Sequence, residues 1–163
     1  PANFDGKVSC DWFYVYHTEA IQLPIAAEQI ISTSSISEYY KANLHMIQGG
    51  YKYHTAAGRE FTTGHRASPR ASIGRKSILS SHGYFGANSK VDKSATLTGS
   101  VVLGDNVFID KGARVSNSII LDSTYIGVNT DCKDAIVSGG LMIKVDTGLC
   151  IELDDPMLFS AIA

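Results

Sequence analysis

The side chains equipped for chemistry are few. His82 is the one histidine inside the regular part of the sequence, at Ser80-Ser81-His82-Gly83, where an imidazole can accept or give up a proton. The competing reading is a corner histidine turned to solvent. His54 and His65, with Arg59, Arg66 and Arg70 around them, suggest an anion or metal site. The two histidines are 11 residues apart, which matches no zinc-ligand spacing, so no metal site is expected and a solvated connector explains the same residues. Trp12, Tyr14 and Tyr16 would make a sugar-stacking platform, but alternating aromatics also make one face of a strand, and core is the simpler reading. Asp92, Asp110 and Asp122 look like a carboxylate ladder, yet aspartate at a corner hydrogen-bonds its own turn, so they are expected to be structural. Cys10, Cys132 and Cys150 are odd in number, far apart and in no C-x-x-C pair. That spacing supports neither a disulfide framework nor a zinc knuckle, and a reducing cytoplasm is the expected compartment.

The elements that must position these residues follow from a period of six. From Ile73, steps of six meet Leu79, Phe85, Val91, Leu97, Leu103, Ile109, Val115 and Leu121, all large and apolar. The next residue in each hexad is Gly, Ser, Asp or Thr, which suits a corner. Six fits neither the 3.6 of a helix nor simple alternation. It fits short strands joined by tight corners, each hexad one side of a triangular coil. With three hexads to a turn, residues 18 apart stack at strand spacing, about 4.8 Å. The expected columns are Ile73, Val91 and Ile109; Leu79, Leu97 and Val115; and Phe85, Leu103 and Leu121. Gly86-x-Asn88 and Gly104-x-Asn106 fall 18 apart, as expected of corners needing a left-handed backbone. Gly127-x-Asn129 reads as a third copy one residue out of phase, implying a deletion near Ser123.

The fold class is therefore all-β, a parallel β-helix of about three coils over residues 71–137, preceded by a short mixed region with one α-helix. Residues 1–34 are read as mixed strand and loop. Residues 35–50 are a helix: Ser35 and Glu38 make a capping box, Ile36, Tyr40, Leu44 and Ile47 share a face, and Gly49-Gly50 ends it. Residues 51–70 are expected to be a linker, and 138–163 a tail capping the last coil, since an open end would leave strand edges unpaired. Fourteen basic and 16 acidic residues, in no long block of one sign, exclude the electrostatic footprint of a nucleic-acid or anionic-membrane binder. No run approaches the roughly 20 apolar residues of a membrane span. The first residue is Pro1, which fits either removal of an initiator or a piece of a longer protein.

The hexad pattern resembles the left-handed parallel β-helix of the hexapeptide-repeat superfamily, chiefly acyltransferases and the C-terminal domains of sugar nucleotidyltransferases. The left hand is implied by that resemblance alone. Glu38-Tyr39-Tyr40-Lys41-Ala42-Asn43-Leu44 through Gly49 resembles the segment joining the catalytic domain of mannose-1-phosphate guanylyltransferases to their β-helix. Asn117-Ser118-Ile119-Ile120-Leu121 through Gly127, Ala135-Ile136-Val137, and Val145-Asp146-Thr147-Gly148 to Asp155-Pro156 are similar to the endings of such proteins in capsule and exopolysaccharide pathways. The resemblance covers about residues 31–159. The chain departs from the family in two places: the Gly-rich, Arg- and Lys-containing phosphate loop is absent, and Ser32-Thr33-Ser34 stands where relatives carry D-[IV]-G with a metal-binding aspartate.

The resemblance implies a scaffold and homo-oligomerisation module, dimer or trimer, lacking the catalytic domain and any cofactor. The alternative it implies is an acyltransferase: acetyl-CoA or another acyl-CoA lies between adjacent β-helices, and His82 is the general base on the acceptor. The sequence leaves the sugar, the nucleotide and the oligomer number open.

Overall fold

The computed structural model describes residues 33–51 and 56–162. Trp12, Tyr14, Tyr16, Cys10, His54 and nearly all of the 1–34 segment lie outside the described residues. Helix α1 spans Ile36–Ile47. Ser35 caps it, accepting from the Glu38 amide at 3.2 Å, while the Glu38 carboxylate accepts the Ser34 hydroxyl at 2.7 Å. At the other end Gly49 turns left-handed, with φ 74°. The Gly49 and Gly50 amides then close back on Met46 and His45, satisfying carbonyls the helix leaves open.

Strands follow as β1 (Arg59–Thr62), β2 (His65–Ala67), β3 (Ser72–Ile73), β4 (Ile78–Phe85), β5 (Lys90–Val91), β6 (Thr96–Leu103), β7 (Phe108–Ile109), β8 (Arg114–Ile120), β9 (Thr124–Ile126), β10 (Asp131–Lys133) and β11 (Ala135–Ser138). They wind into a parallel β-helix of about 4 turns, as the period of six predicts. The winding begins earlier than expected. Instead of a linker over 51–70, β1 and β2 form an antiparallel hairpin, and β2 pairs in parallel with β4 as the first level of the solenoid.

The interior holds three apolar columns. Ile73, Val91 and Ile109 stack through β3, β5 and β7 as expected, and Ile126 on β9 extends the column. The second column is Ile78, Leu97, Val115 and Cys132, and the third is Phe85, Leu103, Ile120 and Val137. Leu79 and Leu121, assigned to these columns by strict counting, are displaced by their neighbours. Two irregular corners cause this. Ser81 is an extra residue between the Ser80–Gly99 and His82–Ser100 pairs, and Leu79 is 67% exposed as a result. Between the Thr98–Ser116 and Val101–Ser118 pairs, Gly99-Ser100 faces Asn117 alone. The deletion therefore lies at Asn117 and not near Ser123.

At one corner Arg70, Asn88, Asn106 and Ser123 are all left-handed, with φ of 63°, 58°, 56° and 52°. The Asn88 amide nitrogen Nδ2 donates to Asn106 Oδ1 at 3.1 Å. Gly86 and Gly104 serve another purpose. Neither is left-handed, but a Cβ on Gly86 would meet the Gly104 carbonyl, and one on Gly104 would meet Asp122. Gly127-x-Asn129 is not the third copy of this corner, since the Asn129 amide bonds Lys111 on the next one.

One wall of the solenoid is apolar on both sides, as a parallel sheet covered on both faces should be. Tyr84, Val102, Ile119 and Ile136 form its outer ladder, and α1 lays Tyr39, Tyr40, Leu44 and Ile47 on it. Ile36, placed on the helix's buried face by periodicity, is 45% exposed. At the far end β12 (Leu141–Lys144), β13 (Cys150–Glu152) and β14 (Phe159–Ala161) add antiparallel to β11, β12 and β9 respectively. Phe159 lies level with Ile126 and closes the first column.

Candidate functional site

The structure separates the candidate residues. His82 lies half-buried on the outer side of β4, level with Ser100. Its ring passes Gly64, where an added Cβ would come within 3.2 Å of Cδ2. Nδ1 of His82 is buried and has no hydrogen-bond partner among the described residues. Ser100 is held from the helix side, its hydroxyl accepting from Gln48 Nε2 at 3.1 Å.

His65, read from sequence as part of a solvated connector, is instead 5% exposed. It heads the inward-facing row that continues through Gly83 and Val101, with Gly83 leaving room beneath the ring. A Cβ on Gly83 would stand 2.9 Å from both His65 Cδ2 and Phe85 Cζ. The imidazole lies nearly parallel to Phe85, 6.3 Å between centroids and 9° between planes. Its Nδ1 is 2.8 Å from the Thr63 carbonyl oxygen and its Nε2 is 2.9 Å from Ser80 Oγ. The signal for this placement is the spacing of 18 between His65 and Gly83.

The chain matches no protein-family model and no curated protein.

The aspartates act within corners. Asp92 accepts the Ser94 amide and hydroxyl at 2.9 and 2.7 Å, and those bonds hold its carboxyl below the usual range. Asp110 accepts the Lys111 amide at 2.7 Å and the Tyr125 hydroxyl at 2.8 Å. Asp122 reaches across to the Asp105 amide at 2.8 Å. Cys132 sits inside the second column, where burial pushes its thiol up to about 12 and keeps the thiolate scarce at neutral pH. Cys150 is exposed. Among the described residues no three His, Cys, Asp or Glu side chains gather as a metal would need, and no helix is long and apolar enough to cross a membrane.

Proposed function

We propose that this chain is a β-helix scaffold and self-association module related to the C-terminal domain of sugar nucleotidyltransferases in nucleotide-sugar, capsule or exopolysaccharide synthesis. The observation carrying this reading is the way α1 is fixed to the solenoid. Apolar contact on the outer ladder is joined by two polar ties, Tyr40 Oη to the Asn117 carbonyl at 2.6 Å and Gln48 Nε2 to Ser100 Oγ at 3.1 Å. A connecting helix held this way would carry a catalytic domain as a rigid attachment and take no part in chemistry itself.

Self-association has its own support. Val128 is 48% exposed and Met157 76%, and both belong to the strip where the Gly127 amide bonds the Leu158 carbonyl. Phe108 and Tyr125, on neighbouring coils, stack 5.9 Å apart. Exposed apolar groups of this size favour burial against a second copy. Sedimentation at micromolar concentration should give a dimer or trimer, and Met157→Glu with Val128→Glu should shift it toward monomer. A native monomer would count against self-association. Pyrophosphate-dependent turnover of a nucleotide-sugar by the purified chain would count against the non-catalytic reading.

The unpartnered Nδ1 of His82 favours a second reading, a hexapeptide-repeat acyltransferase with His82 as general base. Thiol release from acetyl-CoA in the presence of sugar or amine acceptors, abolished in His82→Ala, is its signature.

A further inference from the structure

We propose that Ser80 is a nucleophile activated by His65, and that the mouth of the solenoid beside β1 and β2 accepts a short acyl ester. This goes beyond the scaffold reading and does not depend on it.

The bonding pattern assigns the roles. A carbonyl oxygen can only accept, so the Thr63 contact at 2.8 Å places the proton on His65 Nδ1. Nε2 is then the acceptor, and the Ser80 hydroxyl donates to it at 2.9 Å. Nucleophile, base and a group that fixes the base's tautomer are thus in line, the arrangement that activates a serine. Phe85 on one face and Phe61 at the edge, 6.4 Å away, hold the ring in place.

The local backbone departs from regular winding to make this pair. Ser81 bulges out of β4, a device that re-aims side chains beside active sites. Leu79 is left 67% exposed, and Ser80, at 9%, is held against His65. Breaking the count of six to hold a hydroxyl against an imidazole is the local inconsistency expected of a functional site.

Ser80 and His65 open onto a recess of about 270 Å³, lined also by Phe61, Thr62, Thr63 and Ile78. That is below the common range of ligand pockets, about 300–1,000 Å³, so a short acyl group such as acetyl or propionyl fits it best. In the reaction Ser80 Oγ bonds the acyl carbon while its proton passes to His65 Nε2. The ester C–O bond breaks and the leaving alcohol takes that proton. Water then attacks the acyl-serine, giving its proton to His65, and Ser80 recovers it as the acid leaves. Ester and water become acid and alcohol, with no further reactant.

The test is covalent labelling of the whole native chain by diisopropyl fluorophosphate, mapped by mass, alongside hydrolysis of p-nitrophenyl acetate and octanoate. The expected result is one phosphoryl adduct on Ser80 and turnover of the acetate about tenfold or more faster than the octanoate. His65→Gln should slow labelling at least about 100-fold, and Ser138→Ala, at an exposed serine on β11, should label as fast as the native chain. If His65→Gln fails to fold by circular dichroism, Gly83→Ala decides instead, since its methyl group would press on the imidazole and should slow labelling to the same degree. Absence of a Ser80 adduct on the native chain overturns the proposal. So does slowing by less than about 100-fold in whichever of these variants is folded, which would leave the pair a structural hydrogen bond.

Discussion

Ile78 lies level with Leu97 across the β4–β6 pair, and beyond Leu97 the same column continues through Val115 to Cys132. Leu97, Val115 and Cys132 are wholly buried. Truncating Leu97 to Ala leaves a hole that its stacked neighbours cannot close, and the expected loss is about 2–5 kcal/mol. Leu103→Ala, in the third column, should cost as much. Leu79→Ala and Lys111→Ala, both on the solvent side, should stay within about 0.5 kcal/mol of the native chain. Thermal melts of the four variants check the register, and a loss at Leu79 equal to that at Leu97 would refute it.

The left-handed corner makes a different demand. Asn106 has φ 56°, where a β-carbon crowds the backbone unless a short polar side chain or glycine stands there. Asn106→Gly should therefore unfold within about 0.5 kcal/mol of the native chain, and Asn106→Ala should lose about 1–2 kcal/mol. Urea denaturation of the pair measures the difference directly. If both variants lost the same amount, the side-chain bond from Asn88 would be the source of stability and the backbone conformation would not.

The period of six was enough to find the solenoid because three apolar columns repeat it through several levels. It went wrong at Leu79 and Leu121 because each has an apolar neighbour, Ile78 and Ile120, and a count of six cannot choose between adjacent candidates. Corner length chooses, and corner length depends on which backbone groups pair across coils. The docking of α1 left a trace in the unbroken apolar runs Val101-Val102-Leu103 and Ile119-Ile120-Leu121, where a one-sided wall would alternate. The contact between His65 and Ser80 left almost none. They are 15 residues apart, and only the bulge at Ser81 turns them toward each other.

Cysteine reactivity offers a probe of the interior. With its thiol pushed up to about 12 by burial, Cys132 should resist iodoacetamide at pH 8 for as long as the solenoid stays wound, while the exposed Cys150 is alkylated first. Mass mapping over time in increasing urea should show Cys132 modified only through the main unfolding transition. Early modification of Cys132 in native buffer would mean that the later coils open locally.

The hydroxyl of Tyr40 should make stability depend on alkaline pH in a way that identifies the helix contact. Burial, and secondly the negative charge of Asp134, raise its pKa above the ordinary 10.0, because both oppose the phenolate. The protonated form also donates the 2.6 Å bond to Asn117. A raised folded-state value means that the stabilisation is complete below about pH 10, where the unfolded tyrosine titrates, and is lost as pH rises through the folded value. Tyr40→Phe removes both donor and titration, so at pH 7 it should cost about 1 kcal/mol. The gap between native and variant should then narrow above pH 10. Tyr125, raised by its bond to Asp110, titrates in the same range and bends both curves alike, which is why the difference between them is the quantity to follow. Urea unfolding of the two proteins from pH 7 to 11 tests this, and a gap that stays constant to pH 11 would mean that the Tyr40 hydroxyl contributes nothing to holding α1 on the solenoid.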